Sequence, residues 1–247
     1  MPGLSVIIPT CQEAATIAAA VRVARDLGDA VEVIVVDGGS TDDTAGIAFR
    51  AGAKVVSSAK GRGIQMHTGA MEATGDVFFF LHADTSPPPN ALNLIEQALT
   101  DPDTVGGSFQ VIFDGNFASA KFLTWLYRYL AWIGLRYGDS GYFARRTSYF
   151  NAGGFNPYPI FEDLDLMRRL KKQGRFVRIN AAVTTSSRRF QGRWFWRVFA
   201  RWTFLQVLYW LGVSPEKLGR FYYPPQKAKS GSRNEPQLNA KEANAVA

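Results

Sequence analysis

Cysteine and histidine are almost missing from this chain: its 247 residues hold one cysteine, Cys11, and two histidines, His67 and His82. A lone thiol closes no intramolecular disulfide, which points to a reducing, cytosolic compartment. So few soft ligands also exclude a structural zinc site, and any bound metal must be held mostly by oxygen. Long apolar runs are missing too. The two longest, Phe122 to Leu135 and Trp202 to Val213, are short for a membrane span, and Arg128 interrupts the first. The start, MPGLSVIIPT, has no basic region, long apolar core or cleavage site, so it is not read as a signal peptide. Finally, acid is missing from one whole stretch. Between Arg168 and Pro215 stand eleven Arg or Lys and no Asp or Glu, in a chain whose net charge is +7. A one-signed block of this kind seeks an anion: a nucleotide diphosphate, an acidic membrane surface or a nucleic acid.

What is present is 47% hydrophobic and 20% charged, the composition of a globular protein. Apolar runs at Leu4 to Ile8, Val31 to Val36, Lys54 to Ser57 and Val77 to His82 read as strands. Helical patterns at Ala14 to Leu27 and Gly61 to Ala73 separate them, with another at Asn90 to Leu99. Strands alternating with helices imply an α/β chain with a doubly wound, mostly parallel sheet. Beyond residue 100 the pattern becomes mixed. Strands are expected at Ser108 to Phe113, Gly141 to Arg145 and Val183 to Ser186, and helices at Ala118 to Leu135, Phe161 to Gln173 and Trp194 to Leu211. The last of these helices is rich in aromatics. No linker divides the chain, so residues 1–225 read as one domain with a nucleotide-binding half to residue 100 and a second half after it. Residues 226–247 lack apolar periodicity and read as a disordered tail.

The fourth strand ends in Leu81-His82-Ala83-Asp84, before Pro87-Pro88-Pro89. Alternation along the strand would send His82 and Asp84 to one side, placing two metal ligands at the carboxyl edge where open α/β sheets bind ligands. An ordinary polar turn is the rival reading. Asp37 ends the second strand, where a carboxylate can accept hydrogen bonds from a nucleoside, or simply form an Asx turn. Lys60 and Arg62 bring two cations to a helix N-terminus, a place that favours anions. Glu162, Asp163 and Asp165 open another helix and complement its dipole. Packing of Phe161, Leu164 and Leu166 around them could raise one carboxyl enough to make it a general base. There is no Gly-x-Gly-x-x-Gly after the first strand and no Walker loop, which argues against a Rossmann dehydrogenase and a P-loop enzyme.

Taken in order, Pro9-Thr10 with Glu13, Val36-Asp37-Gly38-Gly39-Ser40-Thr41-Asp42, Gly61-Arg62-Gly63-x-Gln65, Leu81-His82-Ala83-Asp84, Gly107-x-Phe109 and Glu162-Asp163 resemble family 2 glycosyltransferases of the GT-A fold. The resemblance covers roughly residues 4 to 190. More narrowly, the chain looks like the small bacterial subgroup that includes arsenosugar-linked and diaponeurosporenoate (carotenoid) glycosyltransferases. The resemblance implies a GT-A sheet, a mixed acceptor-side lobe and inverting transfer from a nucleotide diphosphate sugar. By the same resemblance Asp163 is the base with Glu162 beside it, and Asp37 holds the nucleoside. Pro9, Thr10, Glu13, Lys60, Arg62, Gln65, His82, Ala83 and Asp84 line the donor site, and Asp84 with His82 holds Mn²⁺ or Mg²⁺. Gly107, Phe109, Gly138 and Asp139 stand on the acceptor side. Apart from the resemblance, Arg188 and Arg189 follow the last expected strand and could return charge to the diphosphate. His82 departs from the aspartate many relatives carry there, and an imidazole tilts the site toward Mn²⁺.

The expected partners are therefore a nucleotide sugar and a small-molecule or lipid-like acceptor, with no nucleic acid. The expected place is the cytoplasm or the inner face of the cell membrane. Arg193, Arg197 and Arg201 recur every fourth residue and would line one face of the last aromatic helix, which suits either an anionic membrane surface or an apolar face packed on the sheet with the arginines toward solvent or the donor phosphates. The alternative reading is a non-catalytic nucleotide-binding or membrane-docking protein on the same fold.

Overall fold

Runs of Val, Ile and Phe become strands here because both faces of the sheet are covered, so every side chain along a strand finds an apolar neighbour. A computed structural model describes residues 3–132, 138–187 and 195–222. In it β1 (Leu4–Thr10), β2 (Glu32–Asp37), β3 (Lys54–Ser57) and β4 (Val77–Phe80) are joined through α1 (Ile17–Arg25), α2 (Thr44–Arg50) and α3 (Arg62–Glu72). Next come β5 (Thr85–Ser86), α4 (Ala91–Ala98), β6 (Thr104–Phe113) and α5 (Ala118–Trp132). A single 3-10 turn (Gly138–Ser140) leads to β7 (Tyr142–Arg145), α6 (Arg146–Asn151) and α7 (Glu162–Leu170). The described chain closes with β8 (Arg175–Thr185), α8 (Phe195–Trp210) and α9 (Pro215–Tyr222).

The eight strands form one sheet in the order β3-β2-β1-β4-β7-β6-β8-β5. The pairs among β1 to β4 are parallel, as is β6 with β8, whereas β7 runs antiparallel to both β4 and β6, and β5 antiparallel to β8. Alternate residues of each central strand feed two separate cores. Val77 and Phe79 join Val6, Ile8, Val33 and Val35 under α1, α2, α4 and α5. Phe78 and Phe80 join Ile7, Ile34 and Val36 under α3, α6, α7 and α8. The doubly wound, mostly parallel α/β sheet expected from the sequence is the observed one.

Several expectations need correction. The fourth strand stops at Phe80, so His82 and Asp84 leave the sheet in a turn, closed by the Thr85 amide donating to the His82 carbonyl at 3.0 Å. Strand alternation is thus not what aims them. β8 begins at Arg175 rather than Val183, because pairing with β6, not local composition, makes its first half extended. β6 begins at Thr104 and is mostly buried rather than half exposed. Helices α6 and α9 were not foreseen. The disordered tail expected from residue 226 lies outside the described residues. Among those residues, no helix is long and apolar enough to cross a membrane.

Candidate active site

After β1 the chain winds toward β2, and β4 lies on β1's other side, so the carboxyl ends of β1 and β4 flank the point where the winding reverses. Crevices at such points bind ligands in open α/β sheets. Here a cleft of about 220 Å³ opens, lined by Pro9, Thr10, Cys11, Glu13, Lys60, Gly61, Arg62, Gln65, His82, Ala83 and Asp84. A second compartment of about 70 Å³ shares Arg62, His82 and Asp84 with it and adds Phe113, Asp139, Thr185 and Ser186. His82, Arg62 and Asp84 therefore form the wall between a larger and a smaller chamber.

The floor of the larger chamber is stitched by side chains. The Gln65 amide donates to the carbonyls of Thr10 (2.7 Å) and Val36 (2.8 Å), tying α3 to the ends of β1 and β2. Gly38 must lack a side chain, since a Cβ would stand 2.9 Å from the Gln65 amide carbon. Gln12, in the left-handed region at φ 61°, receives a bond from the Asp42 amide, donates its own amide to Ser40 Oγ at 2.8 Å, and sends its side-chain amide to Thr41 Oγ1 at 2.7 Å. The loops after β1 and β2 are thus one rigid unit. Asp37 is buried at its edge, where its carboxylate accepts the amides of Gly39 (3.2 Å) and Ser40 (2.9 Å). It makes the Asx turn, and it stands beside the larger chamber rather than in its lining.

Opposite the cleft, α7 begins abruptly. Phe161, its N-cap, sits at φ 63°, a left-handed conformation that costs a bulky residue about 1 kcal/mol or more. Its ring is held 4.7 Å from the Tyr209 ring of α8. The kink turns the next two acids inward. Glu162 is 2% exposed, with Oε1 2.9 Å from Arg62 Nε and Oε2 buried with no hydrogen-bond partner among the described residues. Asp163 accepts the Leu164 amide at 2.7 Å on Oδ1 and the Gly138 amide on Oδ2. Burial pushes the Asp163 carboxyl up to about 7 and the adjacent Glu162 charge adds to this, while Arg62 and the two amides pull the other way. A carboxyl titrating near neutrality can accept a proton from a hydroxyl and release it again. Asp165, the third acid, is committed to Arg169 at 2.6 Å and Asn156 at 2.8 Å and is structural.

His82 faces Asp139 across 3.6 Å, too far for a hydrogen bond. Burial keeps its imidazole below the usual histidine range, only partly opposed by Asp139, so at neutral pH it is uncharged and able to donate a lone pair. Among the described residues no three His, Cys, Asp or Glu side chains converge as a metal cage. His82 and Asp84 nevertheless line both chambers. Two such protein donors suit Mg²⁺ or Mn²⁺, hard ions that take the rest of their shell from phosphate oxygens and water.

Of the other residues singled out in the sequence, Gly107 and Phe109 line neither chamber. A Cβ on Gly107 would meet the Phe143 ring at 2.5 Å, and Phe109 packs 5.6 Å from Phe79 in the core. They shape the sheet rather than face an acceptor. Gly138 and Asp139 do reach the site, the first on Asp163 and the second in the smaller chamber. Arg188, Arg189 and Arg193 lie outside the described residues. Sequence reasoning missed Cys11, whose place between Thr10 and Glu13 was a usable signal, and Thr185 and Ser186. The last two arrive because β8 pairs with β5, with Ser186 donating its amide to the Asp84 carbonyl at 3.1 Å. Tyr209 was also missed as a site neighbour. Burial raises its phenol, Arg168 offsets part of this, and the charges of Asp165 and Asp163 add to it.

Residues 5–161 match the sequence profile of the family described as Glycosyl transferase family 2. The undecaprenyl-phosphate 4-deoxy-4-formamido-L-arabinose transferase of Pseudomonas paraeruginosa (strain DSM 24068 / PA7) is 34% identical over an alignment of 116 positions that covers 42% of this chain and 34% of that protein. The match thus spans about a third of that relative's length. Glucosyl-3-phosphoglycerate synthase from Mycobacterium tuberculosis superposes with a TM-score of 0.63 at 23% identity, over 86% of this chain and 82% of that one. A complex of the same synthase with Mn²⁺, uridine-diphosphate and phosphoglyceric acid gives 0.59 at 25% identity, over 86% and 80%.

Proposed function

Because the chain belongs to glycosyl transferase family 2, we propose that it is an inverting transferase moving a sugar from a nucleotide diphosphate sugar to an acceptor hydroxyl. The observation that carries this reading is Asp163. It is a buried carboxyl titrating near 7, held by Gly138, whose neighbour Asp139 lines the chamber sharing His82 and Asp84 with the larger cleft.

In this reading the nucleotide diphosphate lies in the larger chamber. Lys60 and Arg62 face its negative charge there, and Asp37 anchors the nucleoside beside the rigid Gln12 unit. Asp84 and His82 would hold a divalent cation, Mn²⁺ or Mg²⁺, which when bound neutralises charge on the departing diphosphate. The acceptor hydroxyl enters from the smaller chamber and Asp163 takes its proton. The new bond forms between that oxygen and the anomeric carbon as the carbon's bond to the diphosphate oxygen breaks. One base is enough for inversion, because the nucleophile comes from the substrate. Glu162 acts by fixing Arg62 and tuning Asp163. The relative's name supports an acceptor of lipid-phosphate type, and the solved neighbours support Mn²⁺ with a uridine nucleotide.

The test is to incubate the protein with UDP-, GDP- and dTDP-sugars, with and without Mn²⁺, and measure free nucleotide diphosphate. Metal-stimulated release from one donor class, lost in Asp163→Asn when an acceptor is added, is the expected result. No release from any donor with any acceptor leaves the fold with a binding role only.

A further inference from the structure

The outer faces of α5 and α8 carry an unusual load of aromatic surface. On α5, Lys121, Trp125, Arg128, Tyr129 and Trp132 follow a helical stripe begun by Phe117, and Trp125 and Trp132 are 61% and 74% exposed. On α8, Trp196, Phe204, Val207 and Trp210 form the solvent-facing stripe, and Arg197 and Arg201 border it, exposed as well. The two stripes are neighbours. Phe122 of α5 stands 5.7 Å from the Trp196 ring and 5.6 Å from the Phe199 ring. At its far end the surface continues into α9, where Arg201 donates to the carbonyl of exposed Phe221.

Isolated exposed apolar residues are ordinary, but a continuous patch of this kind marks an interaction site. Charge selects the partner. α5 and α8 contain Lys121, Arg128, Arg197 and Arg201 and no Asp or Glu, so every charge these two helices bring to the patch is positive. Tryptophan and tyrosine settle at the boundary between headgroups and acyl chains, and long basic side chains reach from there to lipid phosphates. We propose that the α5–α8 face is a docking surface for an anionic lipid bilayer, lying flat in its interface. The inner side of α8 meanwhile touches Phe161 through Tyr209. The catalytic acids would then lie about one helix diameter from the bilayer, roughly 10 Å.

The experiment uses the full chain without any sugar donor, so its outcome is separate from that of the transferase assay. Binding is measured by co-sedimentation and by the blue shift of tryptophan emission. The vesicles are phosphatidylcholine alone, or phosphatidylcholine mixed with phosphatidylglycerol, at low and high salt. Binding to the anionic vesicles that weakens steeply with salt is expected. A Lys121→Gln, Arg197→Gln, Arg201→Gln variant should bind on the order of a hundredfold more weakly, about fivefold per cation. A Trp125→Ser, Trp132→Ser, Trp210→Ser variant should lose the blue shift while melting at an unchanged temperature. Absence of binding at low salt, equal binding to neutral vesicles, or binding indifferent to both variants overturns the proposal. So does a stable dimer in light scattering whose association the tryptophan variant abolishes, because a second copy then covers the face.

Discussion

Arg62 Nε lies 2.9 Å from Oε1 of Glu162, joining the start of α3 to the start of α7 across the candidate active site. Both ends matter electrically. Arg62 draws the Asp163 carboxyl down while Glu162 pushes it up, so the pair sets the value to which burial has raised that carboxyl.

The pH dependence of turnover follows from this. The base works only when ionised, so kcat should fall on the acid side with a midpoint near 7, where Asp163 titrates. Glu162→Gln removes the negative neighbour and should move that midpoint to lower pH. Arg62→Gln removes the cation and should move it higher. A rate profile between pH 5 and 9, roughly the span over which such a group titrates, measures all three, and coincident midpoints would count against Asp163 as the base.

Asp163→Asn should lower turnover by about 10² or more while leaving donor affinity nearly intact, the usual scale for losing a general base. The same change should stabilise the protein. A carboxyl whose folded value is raised from 3.8 to about 7 binds its proton more tightly when folded, so wild-type stability declines as pH climbs between those values. Each unit of elevation corresponds to about 1.4 kcal/mol. Thermal melts should show the variant ahead of the wild type at pH 8, with the gap closing toward pH 4.

Removal of Asp84 separates the metal from the nucleoside. Asp84→Ala should weaken Mn²⁺-dependent binding of a nucleotide diphosphate by about tenfold or more, with the bare nucleoside little affected. Calorimetric titration of both ligands, with the metal present and then chelated, reads the difference. Equal losses for both ligands would mean that Asp84 shapes the cleft and leaves the cation alone.

Gly138→Ala inserts a methyl that would sit 3.3 Å from Asp163 Oδ2 and 3.4 Å from His82 Nε2. The contact with Asp163, which is buried, is the tight one, and that with His82 is close to ordinary packing. Turnover should drop by about tenfold with little change in melting temperature, since a misplacement of a few tenths of an ångström affects chemistry more than stability.

How much of this was legible depends on where each residue finds its reason. Leu4 to Ile8, Val31 to Val36 and Val77 to Phe80 announce themselves because a strand covered on both faces is apolar at nearly every position, Ser5 and Glu32 being the exceptions here. The raised carboxyl of Asp163 was foreseeable from Phe161, Leu164 and Leu166, which pack beside it in the core under α7. His82 and Asp84 line both chambers, but a turn and not the strand presents them. Nothing local marks the first half of β8, whose Arg175 and Arg178 resemble a loop until β6 lies alongside. Nor does any spacing tie Gly138 to Asp163, 25 residues away. Phe109, which the Gly107-x-Phe109 resemblance put on the acceptor side, packs against Phe79 and lines neither chamber.

The position of β7 also orders the birth of the protein. β4 is complete at Phe80, but the strand that covers its far edge is not made until Tyr142–Arg145 leaves the ribosome. For some sixty residues of synthesis, Val77 to Phe80 presents an apolar, aromatic edge with open backbone groups, the kind of template on which chains pair with the wrong partner. A fragment ending at residue 113 would keep that edge permanently and should aggregate, although it contains every strand of the parallel half. Cutting the chain anywhere between β4 and β7 therefore separates a central strand from the antiparallel partner that closes its open edge.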